Sequence, residues 1–96
     1  SIASELRGHG IAPDQFVGVC IDREPELVAT ILGVLKSGAA YVPIDLSYPA
    51  ERLAFMLVDA GAPILLTQRA LAAELPSYAG MVIFVDDIAT RPPRRT

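Results

Sequence analysis

Phe16-Val-Gly-Val-Cys-Ile21 and Ala40-Tyr-Val-Pro-Ile44 flank Glu24-Pro-Glu-Leu-Val-Ala-Thr-Ile-Leu-Gly-Val-Leu-Lys36, and this strand–helix–strand succession decides the fold. Val17 to Ile21 carries no polar alternation. A strand with one wet face would alternate, whereas a parallel strand covered by helices on both sides reads as a continuous apolar run. The connection is too long for a hairpin and suits a crossover helix. Pro25 opens that helix, where its fixed φ and missing N–H do no harm. Lys36, Ser37 and Gly38 close it, with a cation in the last turn and glycine beyond. At 100° per residue, Leu27, Val28, Ile31, Leu32, Val34 and Leu35 cover about 160° of its surface, the stripe expected of a helix lying on a sheet. Gly33 falls outside the stripe. A helical glycine costs about 1 kcal/mol relative to alanine, so either a neighbouring element packs close there or the helix tolerates the loss.

The same grammar extends in both directions. Ile2 to His9 is a helix of barely two turns, and Pro63–Thr67 and Met81–Val85 are two further β-rich runs. Met81-Val-Ile-Phe-Val85, apolar on both faces, reads like the first strand as a central one. A second long helix runs from Tyr48-Pro49 to Ala60-Gly61, with Leu53, Met56, Leu57 and Ala60 on one face. Phe55 and Val58 lie opposite, which suits a helix sandwiched between its sheet and something else. Gln68 to Leu75 reads as a short helix and Pro76 to Gly80 as a loop. The order, α then βαβαβ(α)β, predicts a three-layer α/β fold: a mostly parallel sheet of about four strands with helices on both faces.

Ninety-six residues support one core, not two. The apolar content, with glycine counted and tyrosine left out, is about 56%, against roughly 45–50% for an average soluble domain. So small an interior cannot hold that surplus, and the chain reads as a fragment whose apolar faces are covered by further protein. Ser1 stands without an initiator Met or a basic-then-apolar leader, the pattern of a cut end rather than a signal peptide. No apolar run reaches the ~20 residues of a membrane helix. Arg91-Pro-Pro-Arg-Arg-Thr96 holds three of the eight basic groups and leaves residues 1–90 at a net −6. Residues 1–90 therefore read as the domain and 91–96 as a linker-like tail. An acidic body is poorly suited to nucleic acid, whose affinity rests on Lys and Arg replacing counterions. Cys20, the lone cysteine, reads as a small core hydrophobe in a reducing, cytoplasmic setting.

Ligands of open parallel sheets bind beyond the carboxyl ends of the strands. After the first strand, Asp22-Arg-Glu-Pro-Glu26 lacks the glycine-rich turn that lets a backbone reach a pyrophosphate. Its carboxylates occupy the favourable end of the helix dipole themselves. Asp22, Asp45, Asp86 and Asp87 resemble the carboxylate set of a Mg²⁺ or phosphoacceptor site, but a receiver module also needs a Lys at a strand end, and Lys36 is inside a helix. Thr67-Gln68-Arg69 is a candidate weak anion site. His9 suits a helix C-terminus, where the dipole favours a cation. Tyr41, Ser47 and Tyr48 carry hydroxyls without an activating base. These residues alone name no reaction.

Leu35-Lys-Ser-Gly-Ala-Ala-Tyr-Val-Pro-Ile-Asp45 resembles the Leu-Lys-x-Gly-x-Ala-Tyr-Val-Pro-Leu/Ile-Asp signature of amino-acid adenylation domains in nonribosomal peptide synthetases, with Leu35, Lys36, Gly38, Ala40, Tyr41, Val42, Pro43, Ile44 and Asp45 at the matching positions. Phe16 to Val28, Ser47-Tyr-Pro-Ala-Glu-Arg-Leu53, Asp59-Ala-Gly-Ala62 and Leu65-Leu-Thr67 follow the same family in order. Gly38 reads as the helix stop, Ala39 and Ala40 as room for the returning chain, and Pro43 as a residue at the end or unpaired side of its strand. The resemblance implies the first αβ subdomain of an adenylate-forming enzyme. The whole enzyme would use ATP and Mg²⁺ to make an aminoacyl-AMP and load it onto a carrier protein's phosphopantetheine. The family's phosphate loop, ribose-binding Asp, catalytic Lys and amine-binding Asp have no counterpart here, so no catalytic, cofactor-binding or metal residue is assigned and the chain alone is expected to be inactive. The family also implies docking of an MbtH-like activator protein on Ser47, Tyr48, Pro49, Ala50 and Arg52, with Ala50 received between aromatic rings. The alternatives are another acyl- or aryl-acid-activating AMP-forming ligase and a free-standing flavodoxin-like or receiver module.

Overall fold

The computed structural model describes residues 2–89; Ser1 and the 91–96 tail of the sequence reading lie outside them. The elements run α1 (Ile2–Gly8), β1 (Phe16–Cys20), α2 (Glu24–Lys36), β2 (Ala40–Pro43), α3 (Ala50–Ala60), β3 (Ile64–Thr67), a 3₁₀ segment (Arg69–Glu74), β4 (Met81–Phe84) and α4 (Val85–Ala89). The strands form one parallel sheet in the order β2-β1-β3-β4, the three-layer α/β arrangement expected from the sequence. In register, Val17 pairs with Tyr41 on one side and Ile64 on the other.

Side chains alternate across the one sheet, so its single domain core is split into an apolar layer on each face. Val17, Val19, Ile21, Ile64 and Leu66 pack with Leu6 of α1 and Val34 of α2. Cys20, Ile44 and Leu65 pack on the other face with Leu53 and Leu57 of α3 and Leu71 of the 3₁₀ segment. β1 and β3 are the central strands, and every residue of β3 is buried. The fourth run differs from the expectation. Met81–Phe84 is an edge strand among the described residues, with Met81 45% exposed, and Val85 and the two aspartates after it turn into α4 instead of prolonging it. An apolar composition cannot distinguish an inner strand from an edge whose outer side awaits a neighbour.

The α2 stripe also needs correcting. Val34 is buried, but Val28, Leu32 and Leu35 are 51%, 60% and 51% exposed, and the buried partner of Val34 on this helix is Thr30. The cause lies at Gly33, where a Cβ would come within 2.7 Å of the Ile2 Cβ. α1 packs against that backbone, so α2 is rolled toward α1 and only part of its apolar arc meets the sheet. On α3, Leu53 and Leu57 are buried, and Phe55 and Val58 face outward at 67% and 75% exposure.

Glycine stops both long helices as expected: Gly38 follows α2 at φ 95° and Gly61 caps α3 at φ 65°, left-handed values that a side chain resists. Pro43 satisfies both halves of its reading. It is the last paired residue of an edge strand. The Ala40 and Ile44 amides donate inward to Gln15 and Val19 at 2.9 Å, so residues 41 and 43 point their backbone N outward, where proline loses nothing.

Cys20 is 2% exposed, and burial pushes its thiol above the ordinary range. Because the folded value is raised, this group leaves stability intact below the unfolded thiol's pKa and erodes it as pH climbs toward the folded one. Iodoacetamide at pH 8 should therefore label the native chain on the order of 100-fold more slowly than the urea-unfolded chain. Equal rates would show Cys20 to be accessible.

Candidate functional site

A parallel sheet offers a crevice where the strand order reverses. The chain leaves β1 toward β2 and then recrosses to β3, so the reversal lies between the carboxyl ends of β1 and β3. That opening is tied shut. The Thr67 hydroxyl donates to the Cys20 carbonyl oxygen at 2.8 Å, and the Asp22 amide donates to Gln68 Oε1 at 3.2 Å. Arg69 grips Asp87 through two hydrogen bonds, Nε to Oδ1 at 3.0 Å and Nη2 to Oδ2 at 2.7 Å, with its guanidinium 4.7 Å from the Phe84 ring centroid. Thr67, Gln68 and Arg69 are thus engaged with their own fold, and the weak-anion reading of this strand end does not stand.

Above the ties is a cavity of about 340 Å³ lined by Asp22, Arg23, Glu26, Gln68, Ala70 and Asp86. Three carboxyl groups beside one arginine do not fit a triphosphate. The α2 N-terminus has no side-chain cap. Arg23, at the N-cap position, makes no capping bond, and Glu26 Oε1 is buried without a hydrogen-bond partner. Glu24 and Glu26 act on this terminus through the dipole alone. Of Asp22, Asp45, Asp86 and Asp87, only Asp22 and Asp86 line this cavity, and no group of three or more His, Cys, Asp or Glu among the described residues could hold a metal ion. His9 follows α1 and lies 3.5 Å from Glu5.

The signature residues form the α2–β2 junction. Leu35 is exposed at the end of α2, and the Lys36 carbonyl accepts a 3.1 Å bond from Arg7 Nη2. Val42 and Ile44 turn inward to the α3 side, with Ile44 7% exposed, and Tyr41 stays 37% exposed. Asp45 ends the junction in a role the sequence reading missed: its Oδ1 accepts the Ser47 amide at 2.9 Å and its carbonyl accepts the Tyr48 amide at 3.1 Å. The Ser47 amide, and after it the Ser47 side chain, hold the carboxyl below its ordinary range. The signal was present as Asp45-Leu-Ser47, since Asp favours turns by bonding its own backbone two residues on. Beyond it, Ser47, Tyr48, Pro49 and Ala50 form an exposed ridge leading into α3, and the Arg52 guanidinium lies 5.5 Å from the Tyr48 ring centroid. The five residues named for partner docking are therefore contiguous and accessible.

Comparisons with known proteins extend this geometry. Tyrocidine synthase 3 of Brevibacillus parabrevis is 53% identical over 88 residues, covering 92% of this chain and 1% of that protein. The crystal structure of the nonribosomal peptide synthetase FmoA3 in its alpha-methyl-L-serine-AMP bound form superposes with a TM-score of 0.84 at 39% identity, covering 95% of this chain and 10% of that one. The N-terminal subdomain of Klebsiella oxytoca NpsA, in complex with 3-hydroxybenzoyl-AMSN, gives 0.78 at 26% identity over 91% of this chain and 22% of its own. The chain thus spans a small part of each relative. The AMP-binding enzyme model matches residues 1–92, taking in all four strands and the whole α2–β2 junction, and on that match the chain belongs to the AMP-binding enzyme family.

Proposed function

We infer that residues 1–90 are the scaffolding αβ subdomain of an amino-acid adenylation domain, with 91–96 as a connecting tail. The whole enzyme joins an amino acid to ATP, with Mg²⁺, and delivers the acyl group to a carrier protein's phosphopantetheine in a cytoplasmic peptide synthetase. The observation that carries this reading is the 53% identity to tyrocidine synthase 3 through the signature segment, against 26% to NpsA in its 3-hydroxybenzoyl-AMSN complex. The described part contributes packing rather than reacting groups: its switch-point cavity is acidic and its strand-end polar residues are bonded to one another. ATP and Mg²⁺ would be held by polypeptide beyond this segment. Where the family uses an MbtH-like activator, the ridge Ser47, Tyr48, Pro49, Ala50 and Arg52 is the surface it would take.

The test is ATP–pyrophosphate exchange. A polypeptide containing this segment within a full adenylation domain should exchange in response to one or a few amino acids, and the 96-residue chain alone should give background. Exchange driven only by aryl or fatty acids would select the related acid-activating ligases instead. Exchange by the short chain alone would overturn the scaffolding assignment.

A further inference from the structure

Between Leu27 and Leu35, α2 carries no charged residue. Its one polar side chain there, Thr30, is buried. Every exposed residue of the stretch is apolar: Val28, Ala29, Leu32 and Leu35. Val28, Leu32 and Leu35 recur at i, i+4 and i+7, so they form one continuous stripe along the outer side of the helix, with Leu32 at its centre and 60% exposed. α3 is built differently. Its exposed side mixes Phe55 and Val58 with Glu51, Arg52 and Asp59, the charged outer face of a helix that meets water. A helix apolar on every side belongs in an interior, and α2 meets that condition only when something covers its stripe.

Three observations bear on the cover. The N-terminal subdomain of NpsA is matched over only 22% of its length, so most of such a subdomain is polypeptide beyond this one. The chain also leaves the sheet on the α2 side: after β4 it turns directly into α4, whose Val85 is buried in the same layer as Leu6 of α1 and Val34 of α2. Finally, an exposed stripe without charged residues matches the interior of a permanent interface better than a surface that a carrier protein visits and leaves, since transient contacts are as polar as ordinary surface. We propose that the Val28, Leu32 and Leu35 stripe is an internal seam of the enzyme, closed permanently by an apolar layer from the remainder of the same N-terminal subdomain. The proposal rests on the adenylation-domain reading above and adds which exposed helix face is a seam and what closes it.

The experiment places a thiol at the centre of the stripe by Leu32→Cys, in the complete adenylation domain and in its N-terminal subdomain alone, and reads maleimide labelling of that position by peptide mass spectrometry. In both polypeptides Cys at position 32 should react on the order of 100-fold more slowly than after unfolding in urea. Reaction at the unfolded rate in both would show the stripe facing water and overturn the seam. Protection in the complete domain with fast reaction in the subdomain alone would assign the cover to another lobe, and protection that fades on dilution would assign it to a second copy; either result overturns the proposed occupant. Leu32→Glu supplies an independent reading. A carboxylate forced into an apolar seam should lower the subdomain's melting temperature by several degrees or prevent folding, whereas an unchanged melting temperature would count against the seam as firmly as fast labelling. ATP–pyrophosphate exchange by the unsubstituted domain separates the two levels of inference. Exchange with amino acids alongside fast labelling sinks the seam alone, and absence of such exchange removes the adenylation reading and the seam with it.

Discussion

Replacing Leu57 with alanine is expected to lower the unfolding free energy by about 3–5 kcal/mol, and adding a methyl group at Gly18 should return part of that loss. Leu57 is fully buried at 0% exposure in the core between α3 and the sheet. Its Cδ2 would lie 2.7 Å from a Cβ at Gly18, and the Leu65 Cδ1 would lie 2.9 Å from the same point. Gly18 is therefore the floor on which two leucines rest, in the middle of central strand β1. Gly18→Ala alone overfills that floor, and the expected loss is about 1–3 kcal/mol unless both leucine ends swing aside. With Leu57 already truncated the nearer of the two contacts is gone and only the flexible end of Leu65, at 2.9 Å, has to give way, so the two losses should not add. Urea unfolding of the two single variants and the double variant gives the coupling directly. A double variant as unstable as the two losses summed would mean that Gly18 and Leu57 do not share this space. Because a small domain has only about 5–15 kcal/mol in total, Leu57→Ala should move most of the population toward the unfolded state under mild denaturant.

Gly33→Val should free α1 from the domain. The Ile2 Cβ and Cγ2 would stand 2.7 and 2.8 Å from a Cβ at residue 33. The Cβ of Ile2 is fixed to its helix backbone, so relief requires α1 as a whole to withdraw. A helix of 7 residues has no stability of its own in water, and once displaced it should unravel and expose Leu6, which is 0% accessible in the fold. The expected loss is roughly 2–4 kcal/mol, the scale of exposing one large core side chain together with strain at the contact. Amide exchange should separate this from general unfolding: protection is lost over residues 2–8 and kept in β1 and β3. Ile2→Ala in the same chain should restore little of the protection, because the Ile2 Cβ, 2.7 Å from a Cβ at residue 33, is retained. Retained protection of α1 in Gly33→Val would refute the close-contact explanation for glycine at this position.

Gly33 shows how far the linear sequence reached. That a glycine inside a good helix requires an explanation could be argued from propensity alone; that the explanation is Ile2, 31 positions earlier, could not. The same division holds for the candidate site. Asp45-Leu-Ser47 held a turn signal that went unread, and Ser47 to Arg52 stood out only through the family resemblance. The pairings that close the switch point, Thr67 with Cys20 and Gln68 with Asp22, join residues 47 and 46 positions apart. They depend on β3 arriving beside β1, which no local pattern specifies. Asp87 looked like a strand-end carboxylate and is instead the partner of Arg69, because the chain curls into α4 directly after Phe84.

The order of strands and helices, the parallel character of the sheet and the two glycine stops followed from the residues by themselves, because hydrophobic period and left-handed turn geometry act over a few neighbours. Strand adjacency, the roll of α2 against α1, the edge position of β4 and the occupation of the strand-end polar groups were decided only in three dimensions. Those features depend on which surfaces meet, and an apolar side chain reads the same in one dimension whether its partner is the sheet below it or a neighbour from further along the polypeptide.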